Sequence, residues 1–228
     1  MINDLFWEEV LNITLLSLRV SGISVLIGSL IGIPIGAVLG LKQFKRKHAL
    51  MRSIDVALKS AVNTFMGLPP VFVGLIVYLL LSASGPLGWL GLLYTPAAMI
   101  ITQLIEVVPI IIGLTMSAVA GVEKSVRERA LSLGATDLQA AWLILKEARL
   151  GVLTSVITAF GAAISEVGGI IITGGNIRWW TRTLTTAIVV ETELGNFTMA
   201  LTLGVILLSI AFIINLALTL IQLKGARR

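Results

Sequence analysis

Long apolar runs alternate with short charged segments along the whole chain, and the runs are longer than a globular core requires. A hydrocarbon layer about 30 Å thick needs around 20 apolar residues of helix. Five stretches meet that length: residues 11–41, 56–81, 93–119, 150–173 and 194–223. From Ser60 to Ile105 there is no charged residue, and the divider within that run is Ser82–Gly88, whose Ser-Gly-Pro-Leu-Gly is turn chemistry. In the first stretch Gly28, Gly32, Gly36 and Gly40 recur every fourth residue, forming a smooth stripe that another helix can approach closely, and Pro34 bends the helix. In the second, Gly67-Leu68-Pro69-Pro70 interrupts the hydrogen-bond ladder in mid-membrane. Lipid tolerates that only where the freed carbonyls face protein or a water-filled path, so a packing kink and a pathway element fit Pro69 and Pro70 equally. The fourth stretch carries a small-residue face, Gly161, Ser165 and Gly169, beside Glu166. Residues 174–193 read as a loop, with Arg178, Trp179, Trp180 and Arg182 as interfacial aromatics and cations.

Glu123–Arg149 breaks the apolar pattern with four acids and five bases, so it lies at or beyond the membrane surface. Ser125 with Glu128 and Thr136 with Gln139 each fit a capping box, and Gly134 between them suits the left-handed turn that ends a helix. The spacing predicts helices over residues 125–133 and 137 to about 149, meeting at a sharp corner. A solvated loop and a rigid knuckle held by a soluble partner are both compatible with this pattern. Hydrophobic residues make up 57% of the 228 and charged residues only 13%, against roughly 25% charged in ordinary globular domains; this excludes a soluble domain. The formal charge of +5 does not signal nucleic acid, because the bases cluster at the ends of apolar runs without aromatic interleaving. Fourteen of them fall on one side of a five-span topology and two, Arg178 and Arg182, on the other. That asymmetry predicts a cytoplasmic knuckle and C-terminus and an outside N-terminus. Asp4, Glu8 and Glu9 precede the first run, the reverse of a signal peptide's basic start.

Enzymatic chemistry finds no support. With no cysteine and one histidine, His48, among Lys45, Arg46 and Lys47, neither a metal site nor a catalytic triad is expected. No Gly-x-x-x-x-Gly-Lys-Ser/Thr is present, so no nucleotide cofactor is expected on this chain; if it drives transport, ATP is bound by a separate subunit. Three charges lie inside spans: Arg19, Glu106 and Glu166. At 1.5 Å per residue Glu166 lies roughly 24 Å from the cytoplasmic end of its helix, a depth similar to that of Arg19, which makes an Arg19–Glu166 pair an expectation. Glu106, beside Pro109, has no evident mate.

The order Glu128-Arg129-Ala130, three residues, Gly134-Ala135, then Ile144 resembles the EAA loop of ABC importer permeases, with Arg129 where the family usually has alanine and Lys146-Glu147 in place of Leu-Pro. Phe160-Gly161-Ala162-Ala163-Ile164-Ser165-Glu166-Val167-Gly168-Gly169, Gly175-Asn176-Ile177 and Thr181-Arg182-Thr183-Leu184 resemble the molybdate and tungstate permeases of that class. So do Leu68-Pro69-Pro70-Val71 and Gly85-Pro86-Leu87-Gly88. Gly174-Gly175-Asn176-Ile177 and Thr192-Glu193-Leu194-Gly195-Asn196-Phe197 are similar to the tungstate branch in particular. The resemblance covers residues 63–197. It implies a single permease domain over residues 1–228, all-α and polytopic, with five transmembrane helices in the MetI-like ABC permease fold and a cytoplasmic coupling helix within residues 123–147. It also implies a bacterial or archaeal cytoplasmic membrane, a second copy of the chain, two ATPase subunits and an extracytoplasmic binding protein. Glu128, Arg129, Ala130, Gly134 and Ala135 would couple to the ATPase. Pro69, Pro70, Glu106, Glu166, Thr173 and Asn176 would line the pathway or gate, with Glu106 and Glu166 as helix-helix or gating groups. Arg178, Arg182 and Thr183 would meet the binding protein at the outer mouth. Hydroxyls and backbone amides of Thr173, Asn176, Thr181, Thr183, Thr185 and Thr186, with Arg178 and Arg182 at the mouth, are the expected donors to a tetrahedral dianion. Molybdate, sulfate and phosphate are the other cargoes, and a stand-alone channel or secondary carrier is the rival class.

Overall fold

A computed structural model describes residues 2–42 and 49–226; His48 and its basic neighbours lie outside them. Ten α-helices follow in order: α1 (Ile2–Lys42), α2 (Ala49–Met66), α3 (Pro70–Leu81), α4 (Pro96–Ala120), α5 (Lys124–Ser132), α6 (Asp137–Glu147), α7 (Arg149–Ser165), α8 (Gly168–Gly174), α9 (Leu184–Glu193) and α10 (Phe197–Ala226), with a 3₁₀ turn at Gly88–Leu90. No strand occurs among the described residues. Three helices are each long and apolar enough to cross a membrane, over Leu5–Leu41, Pro96–Ala120 and Phe197–Ile221. Two bent pairs, α2 with α3 at 89° and α6 with α7 at 57°, raise the number of candidate spans to at most five.

The glycine stripe on α1 determines how the bundle is assembled. A Cβ at Gly28 would lie 2.9 Å from Val107, at Gly32 2.8 Å from Ile111, at Gly36 2.6 Å from the Ile112 carbonyl and at Gly40 2.7 Å from Val119. Partners therefore climb α4 as the glycines climb α1, and the two helices run parallel with their backbones nearly touching. Where lipid supplies no hydrophobic drive, such close approach gains dispersion over a long seam. Four apolar clusters stack along α1, one of them Val20 with Met99 and Ile170. At one end Val10 and Ile13 pack with Leu184, Ala187, Met199 and Leu203. In the middle Val25 meets Val107, Ile111, Ala159 and Ala163. At the other end Ala37 meets Val119, Ile144 and Ala148. α4 starts at a Thr95 cap on Ala98 with Pro96 in its first turn, where a missing N–H does no harm.

Several local expectations need correction. The fourth stretch is not one helix: α7 ends at Ser165, Glu166 is extended, and α8 begins at Gly168. Glu166 there exchanges a helical backbone for a capping role, and Gly168 and Gly169 permit the close packing this requires. Residues 174–193 are not all loop, since Leu184–Glu193 forms α9. The Thr183 N–H donates to Thr186 Oγ1 at 3.0 Å and starts that helix. The last long helix begins at Phe197, three residues later than expected, because Gly195 takes a left-handed turn at φ 76°. The interruption at Gly67–Pro69 bends the chain by 89°, more than a kink.

Replacing Gly36 with alanine forces a backbone shift against Ile112 and should cost about 1–3 kcal/mol. Gly22 has nothing within 4 Å of its Cβ position, so Gly22→Ala should be neutral or gain up to about 1 kcal/mol. Thermal unfolding of the two variants in one detergent checks the contrast.

Candidate functional site

The break between α2 and α3 meets the break between α7 and α8. α3 and α8 both begin at these breaks, and they pack through glycine: a Cβ on Gly74 would lie 2.6 Å from the Gly169 Cα, and one on Gly168 would lie 2.5 Å from Val71. Gly169 is the centre of the junction. Its Cβ position is 2.7 Å from Thr102 Cγ2, 2.9 Å from the Pro70 carbonyl and 3.0 Å from Glu106 Oε1. Glu166 is buried, and its carboxylate accepts the amides of Gly169 at 2.6 Å and Ile170 at 3.1 Å. A charged acceptor on free amides is the strong form of a helix cap, and it is worth most where no water competes. The Glu166 carbonyl accepts from Thr185 Oγ1 at 2.6 Å, tying the break to α9.

Of the residues assigned to a pathway or gate, Pro69, Pro70, Glu106, Glu166 and Thr173 are thus brought together, while Asn176 lies apart in the next turn. Glu106 Oε1 is buried with no hydrogen-bond partner in the chain. Asn176 has φ 48°, a left-handed residue that follows the left-handed Gly175, and its side-chain oxygen is also buried and unpartnered. The Arg19–Glu166 pair is not formed. Glu166 is satisfied by two backbone amides, and Arg19 lies on an exposed face of α1.

The threonines do not offer free donors. Thr173 donates to the Gly169 carbonyl at 3.0 Å and lies 3.0 Å from the Thr102 hydroxyl. Thr181 donates to the Gly174 carbonyl at 2.6 Å, Thr185 to Glu166, and Thr183 and Thr186 bond to each other at 3.0 Å. All five are buried, and their hydroxyls bond backbone carbonyls or, for Thr183, the Thr186 hydroxyl.

At the end of the bundle near the start of α1, Arg178 and Arg182 are likewise engaged. Glu9, on the first turns of α1, accepts from Arg178 Nε at 2.8 Å and Nη2 at 2.5 Å, a two-pronged pair, and from Arg182 Nη1 at 3.3 Å. Arg182 also donates to Glu191 at 2.9 Å, and Asn196 Nδ2 donates to the other Glu191 oxygen at 2.8 Å. Glu9 holds the Arg178 guanidinium above its ordinary range by hydrogen bond and charge. These groups line a cavity of about 510 Å³ together with Leu5, Phe6, Leu194 and Met199. The cations are neutralised by two carboxylates, so the mouth is an ion-pair lock between α1, the turn before α9 and α9 itself. Glu9 and Glu191 were not legible as site residues, since Arg178 lies 169 positions from Glu9.

The charged knuckle is built as a rigid corner. Gly134 has φ 85°, its N–H bonds the Leu131 carbonyl at 3.0 Å, and Ala135 N–H bonds the Ala130 carbonyl at 3.0 Å, the two bonds of a glycine-terminated helix. Thr136 and Gln139 form both bonds of the capping box that starts α6. Ser125 and Glu128 do not form theirs: α5 starts one residue earlier with Glu123 at its cap, and the Ser125 hydroxyl bonds Glu123 Oε2 at 2.9 Å. Arg127 closes the corner on Asp137 at 2.6 Å. Ala130 is buried and Glu128 and Arg129 are exposed, with Arg129 Nη2 donating to Ser125 at 3.1 Å. Leu133, at the apex, is 88% exposed. A cavity of about 660 Å³, lined by Ser117, Gly121, Glu123, Arg129, Glu147 and Gly151 among others, separates this knuckle from the end of α4. Among the described residues no cluster of three or more potential metal ligands occurs.

Residues 32–224 match the family described as binding-protein-dependent transport system inner membrane component. A probable anion ABC transporter permease protein of Haloferax volcanii is 41% identical over 94% of this chain and 91% of its own length. The tungstate uptake system permease protein TupB of Peptoclostridium acidaminophilum is 38% identical over 95% and 92%. Among solved structures, an inward-facing conformation of the MetNI methionine ABC transporter superposes with a TM-score of 0.73 at 18% identity, covering 96% of this chain and 95% of that one; it shares the fold.

Two substitutions test the ion-pair lock. Glu191→Ala leaves the 13%-exposed Arg182 with only its 3.3 Å bond to Glu9 and should lower stability by about 1–3 kcal/mol. Arg178→Ala takes the two-pronged partner from Glu9, which is 9% exposed, and should lower stability by about 1–3 kcal/mol as well. Thermal unfolding in detergent reads both.

Proposed function

Since the chain belongs to the binding-protein-dependent transport system inner membrane component family, we propose that it is the permease subunit of an ATP-driven oxyanion importer, with tungstate as cargo. The observation that carries the cargo is the likeness to a tungstate uptake permease over 95% of the chain. Coupling is supported by the knuckle, a hydrogen-bonded corner with an apolar apex at Leu133. Apolar side chains that no part of the chain covers suit insertion into a groove on another protein.

In this reading the chain is one permease domain with five spans, the second bent at Gly67–Pro69 and the fourth at Glu166–Val167. The N-terminus is outside the cytoplasmic membrane, and the knuckle and C-terminus are inside. Two copies pair, because one chain supplies half of a pathway, and two ATPase subunits grip Glu128, Arg129, Ala130, Gly134 and Ala135 of each knuckle. The chain binds no nucleotide and catalyses no reaction. An extracytoplasmic binding protein delivers the anion near Arg178, Arg182 and Thr183.

The geometry assigns the mechanical parts. α7 is a 17-residue rod whose one end is fixed to the knuckle corner at Ala148 and whose other end is the Glu166 cap. Movement of the knuckles toward each other on ATP binding therefore tilts α7 and reaches the Gly74–Gly169 contact between the breaks. Alternating access then becomes a rigid-body motion about helix interruptions near mid-membrane, as broken helices serve other transporters. Glu166 acts as cap rather than as ligand, since its oxygens are taken by the Gly169 and Ile170 amides, and Glu106 beside it acts as gate. The anion passes with weak contacts to backbone amides, which favours release.

Reconstituted with its ATPase and a tungstate-loaded binding protein, the chain should support ATP-dependent uptake of tungstate into vesicles. Uptake without the ATPase would overturn the importer reading in favour of a stand-alone carrier. Gly134→Val should insert normally and keep ATP hydrolysis while uptake falls at least tenfold, because a β-branched residue at φ 85° costs about 1–2 kcal/mol and opens the corner. Normal uptake in that variant would remove the corner from the mechanism.

A further inference from the structure

α6 carries a second surface unlike the apex at Leu133. Leu138, Ala141, Trp142 and Leu145 recur at the spacing of one helix face and, with Gln139 and Leu41, line a groove of about 540 Å³. Leu138 is 81% exposed and Trp142 70%. The opposite face is fixed, because Ala140 and Ile144 are fully buried and Ile144 packs with Ala37, Val119 and Ala148. α6 cannot rotate to hide the stripe.

We propose that this stripe lies in the boundary between headgroups and acyl chains of the inner leaflet, so that α6 is an interfacial helix whose occupant is lipid. Continuity with the spanning surface favours this. Leu41, which forms one wall of the groove, belongs to the apolar span Leu5–Leu41, so the groove is continuous with a surface that faces lipid. α6 leaves α7 at 57°, oblique to the spanning direction as a surface helix must be. Lys146, Glu147 and Arg149 at its end are exposed, two cations to one anion, beside the level of anionic headgroups. Trp142 is the side chain with an apolar body and a polar N–H that this boundary selects. α6 then floats the knuckle on the membrane, and the apex of α5 alone projects toward the ATPase. The inference takes the inward-facing knuckle from the proposed topology but needs neither the cargo nor the ATPase.

Full-length protein carrying Trp142 as its only tryptophan, with Trp7, Trp89, Trp179 and Trp180 replaced by phenylalanine, is placed in bilayers of lipids brominated near the headgroup end of the acyl chain. Fluorescence should fall to about half and aqueous iodide should quench it little, as for an indole seated roughly 5–10 Å into the boundary. Should the fourfold replacement fail to fold, the difference between the natural chain and Trp142→Phe supplies the same signal. Iodide quenching with silent bromolipids would overturn the proposal, as would shielding from iodide that appears only when ATPase subunits bind. Failed tungstate uptake alongside strong bromolipid quenching would sink the transport reading and leave this one standing.

Discussion

Inside a bilayer a backbone amide has no water to fall back on, so every interruption of a helix must find its replacement partners in the protein. That constraint concentrates the chain's unusual chemistry in one place. α2 and α3 are parted at two prolines, which bring fewer amides to satisfy, and α7 and α8 are parted at Glu166, whose carboxylate takes two amides. The breaks then pack on each other through Gly74 and Gly169, where no side chain intervenes. Had either break been satisfied by water instead, the junction would be an aqueous defect rather than a hinge.

Everything between that junction and the Glu9 end of α1 is fastened. Thr185 ties it to α9, and the Glu9–Arg178–Arg182–Glu191 lock ties α9 and its preceding turn to α1. α1 in turn is seamed to α4 by four glycines. From the junction to the knuckle runs α7, packed along α4 and α1 through Ala159 and Ala163 and bonded to α4 by Gln103 at the Ala163 carbonyl and by Thr115 at Ser155. The result is a fastened frame and one helix that links the α5–α6 corner to the place where the breaks meet. Such a division suits a machine whose energy is supplied at one end and used in the middle.

Features with local causes were readable from the sequence. Gly134 ends a helix because of its own backbone freedom, Thr136 and Gln139 cap the next because they stand three apart, and the glycine stripe follows from a period of four. The misread features depend on distance or on competition. Ser125 is a sound cap by sequence, but Glu123 begins the helix first. α9 is rich in threonine and valine, which weakens its helical signal, and it holds because Leu184 and Ala187 are buried against α1 and α10. Glu166 gave no warning that it leaves the helix, apart from the Gly168-Gly169 pair after it. The mouth cations looked free because their carboxylate partners sit on other helices. Those threonines proposed as ion ligands turned out to be the fasteners of the frame.

The central claim is that the meeting point of the two breaks lies on the route the anion takes. The chain has no cysteine, so a single Glu106→Cys substitution places one thiol beside Gly169. In the assembled transporter, a membrane-impermeant thiol reagent should modify that residue from the cytoplasmic side without nucleotide and from the opposite side when ATP is trapped. Absence of reaction from both sides in both states would show that Glu106 is a packing group and that the pathway runs elsewhere.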